Sequence, residues 1–165
     1  GRIGRTLAKR ARGFDMTIHY HNRSRLSFDL EAGASYYTSV EALLPASPFF
    51  AITAPSTPET QGFLNAERIA LLPDGAIVVN TSRGNLIDDD ALIDALKSGK
   101  VAAAGLDVFN GEPSNVRQEY LDLPNVFLTP HIGSAATKAR VAMGDMLLDG
   151  LELFRADEPV PNRVV

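Results

Sequence analysis

Three side chains with complementary chemistry stand beyond apolar runs: Arg83 after Ala76 to Asn80, Glu112 after Val101 to Val108, and His131 after Val126 to Thr129. The planar guanidinium of Arg83 can grip a carboxylate through two parallel hydrogen bonds and polarise a neighbouring carbonyl, which a lysine does less well. His131 can give or take a proton near neutral pH, because an unperturbed imidazole titrates at about 6.5. Glu112 can hold the far ring nitrogen, fixing the tautomer and favouring the imidazolium. Taken singly, the arginine reads as half of a surface ion pair, and the glutamate and histidine as loop residues beside prolines. Their recurrence beyond three strand ends points to a site, since ligands of an open α/β sheet bind beyond the carboxyl ends of its strands.

Such strand ends need a sheet, and the chain has the matching rhythm. Gly1-Arg2-Ile3-Gly4 opens a helix with Leu7, Ala8 and Ala11 at helical spacing, and Gly13 is expected as its left-handed stop. Met16 to His21 alternates as a strand and hands over to the polar turn Asn22-Arg23-Ser24-Arg25. Ala34 to Tyr37 reads as a short strand, Val40 to Leu44 as a short helix, and Phe49 to Thr53 as a buried strand stopped by Ala54-Pro55. Asn65 caps a helix through Leu72, and Ala76 to Asn80 has the near-continuous apolar character of a strand covered on both faces. Asp88 caps a helix that buries Leu92, Ala95 and Leu96 and stops at Gly99, before the buried strand Val101 to Val108. A loop follows from Phe109 to about Pro124. Beyond the strand to Thr129, a helix of about twenty residues from near Ser134 is expected to bury Met143, Leu147, Leu151 and Phe154. The alternation predicts an α/β fold, a doubly wound and mostly parallel sheet of the Rossmann dinucleotide-binding type.

Two features refine that expectation. Gly1 and Gly4 match the last two glycines of G-x-G-x-x-G, so Gly1, Arg2, Ile3 and Gly4 are the expected pyrophosphate contacts. The first glycine and the strand before it do not precede them in these residues. In the order 3-2-1-4-5-6 that strand lies mid-sheet, so the expectation is a fragment with its first strand missing: residues 1–156 a dinucleotide-binding domain, residues 157–165 a tail. About twenty positions on, an NAD site wants an acidic residue. Here stand Asn22, Arg23 and Ser24, with Arg25 beside them, a neutral and cationic set suited to a 2′-phosphate. NADP is therefore expected ahead of NAD.

Composition narrows the classes. With 165 residues and 45% hydrophobic content the chain can bury the core of one ordinary domain. Sixteen basic against twenty acidic side chains, a net charge of −4, argue against a nucleic-acid partner. The absence of cysteine and the presence of only three histidines argue against a metal site, and Asp88 to Asp90 fit the dipole of a helix N-terminus better. No apolar run approaches the ~18 residues of a membrane span. A reducing cytoplasm is the expected compartment.

With Asn80-Thr81-Ser82-Arg83-Gly84, Gly105 to Phe109 with Glu112-Pro113, and Pro130-His131-Ile132-Gly133-Ser134 in that order, the chain resembles the D-isomer-specific 2-hydroxyacid dehydrogenases over essentially its whole length. Its Asn-Arg-Ser turn is most similar to that of the NADP-preferring glyoxylate and hydroxypyruvate reductases. The resemblance implies Arg83, Glu112 and His131 as the catalytic set, and hydride transfer from NADPH to a small 2-oxo acid. It also implies Asp107 at the nicotinamide carboxamide, Ala54, Pro55 and Thr60 on the nicotinamide and ribose side, Thr81 near the cofactor, and Gly133 against the ring. A homodimer through nucleotide domains, and a separate substrate domain, are further implications. Two alternatives stand beside it: a dinucleotide-sensing module like the corepressors that resemble this family, and a dehydrogenase of another 2-oxo acid, such as a sugar acid or phosphoglycerate. A formate dehydrogenase fits less well, because its relay resembles Gln-His where Glu112 stands here.

Overall fold

The computed structural model describes residues 1–161, so the last four residues of the expected tail lie outside the described residues. The chain divides into two compact units, Gly1–Pro130 and His131–Val165.

The first unit runs α1 (Arg2–Arg12), β1 (His19–Tyr20), α2 (Phe28–Glu31), β2 (Ser35–Tyr36), α3 (Val40–Leu43), β3 (Phe49–Ile52), α4 (Ala66–Leu71), β4 (Ala76–Asn80), α5 (Asp89–Ser98), β5 (Val101–Leu106), α6 (Gln118–Asp122) and β6 (Val126–Leu128). The strands make two parallel sheets, β1-β2 and β3-β4-β5-β6. Among the described residues no ladder joins β1 to β3, so the expected opening falls between those two strands. Helix α1 touches both sides of it. Arg12 Nη2 donates to the Glu31 carbonyl at 2.9 Å beside the small sheet, and Gly4 lies against Thr53 beyond β3.

Local chemistry explains the boundaries. Asn65 and Asp88 accept the backbone N–H groups of Arg68 and Ala91, satisfying helix-start donors, and Gly99 ends α5 at φ +79°. The core lies on one face of the four-stranded sheet: Phe50, Ile52, Ala76, Val78, Val101, Ala104 and Leu106 pack with Leu64, Ile69, Leu92 and Leu96. Each large aliphatic side chain buried there contributes about 1.5–3 kcal/mol.

Several expectations change. Gly13 is right-handed at φ −66°, and the left-handed residue is Asp15, because the chain runs on through one more turn. Helix α6 lies in the segment read as loop, and α2 in a stretch that carried no assignment; each is under two turns, too short for periodicity to reveal. Strand β3, expected to be buried, alternates, with Phe49 58% exposed and Phe50 buried.

The second unit contains α7 (Thr137–Arg155), 19 residues as the spacing predicts. Its expected buried stripe is a correction: Met143, Leu147, Leu151 and Phe154 are all exposed. A single helix has no second layer within its own unit on which to bury an apolar face. Past its end the chain turns back, with Glu158 N–H donating to the Leu153 carbonyl at 2.9 Å and Val160 against Gly150.

Candidate active site

Arg83 stands on a loop that a buried amide shapes. Asn80 closes β4 without solvent exposure; its Nδ2 donates to the Arg83 carbonyl at 2.9 Å and its Oδ1 accepts the Ser82 N–H at 3.0 Å. Both ends of the amide are thus spent on backbone, which a buried polar group requires. Ser82 Oγ donates to the Ala54 carbonyl, tying this loop to the one after β3. The result leaves Thr81 and the Arg83 side chain exposed at the carboxyl end of the sheet. Arg83 Nη1 donates to the Ser82 carbonyl at 2.6 Å.

The next loop is seated directly against it. A Cβ on Gly84 would overlap the backbone of Phe109 and Asn110, so the glycine permits a contact that no side chain could survive. Asp107 N–H donates to the Asn80 carbonyl at 3.0 Å, and the buried Asp107 carboxylate accepts from Thr129 Oγ1 at 2.5 Å. Glu112 is half-buried on the same loop, where its Oε1 accepts the Phe109 N–H at 3.2 Å. Arg83 and Glu112 therefore ride on neighbouring loops beyond the adjacent parallel strands β4 and β5.

His131 opens the second unit, exposed, with φ +52°. Left-handed backbone at a non-glycine residue costs about 1 kcal/mol, and such residues concentrate at functional sites. Gly133 lies two residues on in the same exposed stretch.

The cofactor-side residues fall in three places. Helix α1 begins at Gly1 with no side-chain cap and no acidic residue in its first turn, so its positive end is open to an anion beside Arg2, Ile3 and Gly4. An alanine at Gly4 would press Thr53 Oγ1 at 3.0 Å. Ala54 and Pro55 begin a loop that Thr60 closes: its Oγ1 donates to the Pro55 carbonyl at 2.8 Å and accepts the Thr57 N–H at 2.8 Å. Glu59 sits below the usual carboxylate range, mainly through its hydrogen bond with Thr57 and more weakly through the charge of Arg23.

The third place is the turn after β1. Arg23 and Ser24 are exposed at its apex and Asn22 is half-buried. Arg25 is not available as the sequence suggested, because its Nε and Nη2 donate to both oxygens of Glu31 at 2.7 and 3.1 Å. That pair, joined by Tyr20 Oη donating at 2.6 Å, holds the Glu31 carboxyl down at about 2. Glu31 was invisible as a partner in the sequence; a buried glutamate in so polar a segment reads as surface. His21 Nδ1 donates to the Tyr37 carbonyl at 3.0 Å.

Each carboxylate of Asp88 to Asp90 has its own protein partner. Asp88 caps α5, Asp89 accepts from Asn110 Nδ2 and Tyr120 Oη at 2.8 and 2.9 Å, and Asp90 pairs with Arg117 at 2.8 Å. Burial, then the adjacent Asp89 charge, pushes the Tyr120 phenol well up.

The pieces have relatives. Residues 1–133 match the family model of the D-isomer specific 2-hydroxyacid dehydrogenase NAD binding domain. The chain is 53% identical over 151 residues to a glycerate dehydrogenase of Hyphomicrobium methylovorum, covering 90% of this chain and 47% of that protein. It is 46% identical over 165 residues to a glyoxylate reductase of Pyrococcus furiosus, covering 99% and 48%. The solved structure of a D-isomer specific 2-hydroxyacid dehydrogenase from Polaromonas sp. JS6 66 overlays on all of this chain and 51% of its own at a TM-score of 0.97, with 53% identity. The chain spans about half the length of the curated relatives it matches. On that match, and on a parallel sheet with a glycine-opened helix at its carboxyl edge, the chain belongs to the D-isomer specific 2-hydroxyacid dehydrogenase family.

Proposed function

We propose that this chain is the nucleotide-binding part of a reductase of small 2-oxo acids, with glyoxylate and hydroxypyruvate the first candidates and NADPH the donor. The observation that carries the reading is the seating of Gly84 on the Phe109–Asn110 backbone, which fixes the Arg83 and Glu112 loops beside one another. Relatives named as a glycerate dehydrogenase and a glyoxylate reductase support the substrate class. The exposed Arg23-Ser24 apex supports the phosphate-bearing cofactor over NAD.

In this reading the α1 N-terminus receives the pyrophosphate and Asp107 the nicotinamide carboxamide. When bound there, the dihydronicotinamide would supply the hydride that the carbonyl carbon of the acid needs. Arg83 holds the substrate carboxylate and orients the carbonyl, work that converts an encounter into a near-attack geometry. His131 gives its ring proton to the carbonyl oxygen, completing the 2-hydroxy acid, and Glu112 steadies the imidazolium before transfer. In oxidation His131 takes the proton back. The product is D where it is chiral.

The edges of β1 and β3 left unpaired among the described residues support a further part of the reading: residues 1–156 belong to a dinucleotide-binding domain whose central strand, and a separate substrate domain, lie elsewhere in the polypeptide. Assembly as a homodimer in the cytoplasm completes it, with sedimentation of the full-length protein as the check on the dimer. No helix among the described residues is long and apolar enough to cross a membrane.

The test uses the full-length polypeptide, following NADPH absorbance with glyoxylate, hydroxypyruvate, a sugar-derived 2-oxo acid and phosphohydroxypyruvate. Turnover of the first two is expected, and Arg83→Gln should lower kcat/KM about 100-fold or more, since a charge-assisted bidentate contact is lost. Tight NADPH binding without turnover of any 2-oxo acid would replace the reductase with a dinucleotide sensor.

A further inference from the structure

The turn between β1 and α2 is held from both sides. Before its apex, Tyr36 Oη donates to the Asn22 carbonyl at 3.4 Å and the Tyr36 ring stacks with His21 at 6.4 Å between centroids. After the apex, Leu26 N–H donates to Tyr20 Oη at 3.0 Å, Tyr20 donates to Glu31, and Glu31 grips Arg25 with both oxygens. The Arg25 guanidinium also lies over the Tyr36 ring at 5.8 Å, so the two anchors meet through one cation. Glu31 is 6% exposed while Arg25 is 65% exposed, so the acid is the fixed point and the arginine the strap. Its own carbonyl is held by Arg12 of α1. Between these anchors Arg23 and Ser24 stand exposed, with no side-chain hydrogen bond among the described residues.

We propose that Glu31 is a positioning residue for the adenosine 2′-phosphate: by claiming Arg25 and Tyr20 it sets the turn that presents Arg23 and Ser24, and Arg25 itself does not hold the phosphate. The inference rests on the NADPH reading above and deepens it. Two arginines in one turn would otherwise look like equivalent phosphate ligands. A bidentate pair with a buried carboxylate makes them unequal, because releasing Arg25 would strand that carboxylate in the protein without its counter-charge. The gain of a fixed turn is that less ordering is left for the moment of binding.

The experiment is calorimetric titration of the full-length protein with 2′,5′-ADP and with 5′-AMP, whose affinity ratio isolates the 2′-phosphate from everything that binds adenosine. Wild type, Glu31→Gln, Arg25→Gln, the double variant and Tyr20→Phe are compared. Glu31→Gln and Arg25→Gln should each lower the ratio by about fivefold, and the double variant no further, since residues acting as one unit are not additive. Tyr20→Phe changes no charge and should lower the ratio about twofold, which keeps the test open if a Glu31 variant does not fold. An unchanged or raised ratio in Glu31→Gln overturns the proposal, as does an unchanged ratio in Tyr20→Phe. A further loss when Arg25→Gln is added to Glu31→Gln would make Arg25 a phosphate ligand and overturn it too. A wild-type ratio near one would sink the 2′-phosphate reading itself, before any variant is compared.

Discussion

Arg23 and Arg25 stand two positions apart, yet the structure gives them different work. Arg25 is committed to the buried Glu31, and Arg23 stays at the exposed apex with its charge felt by Glu59. Arg23→Asp should therefore cut kcat/KM for NADPH by about 10–100-fold while sparing or improving NADH, because an anion replaces the cation facing the extra phosphate. A full-length protein that prefers NADH before any substitution would remove the basis of that claim. Glu31 carries a second consequence. Its carboxyl is held near 2 against an ordinary 4.5, by Arg25 first and Tyr20 second. A depressed carboxyl contributes stability that is fully present above the ordinary value and disappears as pH falls toward the folded one. The difference in urea midpoint between wild type and Glu31→Gln should be constant near neutrality and shrink from about pH 4.5 down to about 2; a difference that grows on acidification would contradict the pair. Arg83, Glu112 and His131 could be picked out as candidates because each follows an apolar run. Glu31 and Asn80 were not legible in these roles, because what they hold is distant backbone or a side chain that only folding brings near.

At the level of elements, the site depends on loops locked to one another more than on the strands beneath them. Asn80 writes the shape of the Arg83 loop, and Gly84 lets that loop lie on Phe109 and Asn110. Gly84→Ala should destabilise the protein by about 1–3 kcal/mol, or more if the loops must part, through overpacking against backbone that cannot yield as a side chain would. Denaturant unfolding measures it, and a loss below about 0.5 kcal/mol would mean that the loops are not held together there. Helix α5 was readable from end to end, since Asp88 and Gly99 state its cap and stop in residue types. The limits of α1 were not: Gly13 suggested a left-handed stop, but a glycine permits that conformation without requiring it. Spacing also announced the apolar stripe of α7 without saying what lies on it. Periodicity reports which residues share a face, and burial depends on a second layer that no period encodes.

Across the whole molecule, the fold class was legible because strand and helix signals alternate, while the grouping of the described strands into two parallel sheets is seen only in the ladders themselves. The opening between β1 and β3 lies beside α1, whose uncapped first turn is the expected anion site. On this account a proton donor, a carboxylate clamp and a dinucleotide must act on one carbonyl, so each should fail separately. The measurement that tests this most directly is a paired one on the full-length His131→Gln variant: NADPH affinity, and the rate of glyoxylate reduction. General acid catalysis by His131 predicts affinity within about twofold of wild type and a kcat lower by about 10²–10⁴-fold, its usual contribution. Reduction at the wild-type rate with that imidazole removed would contradict it.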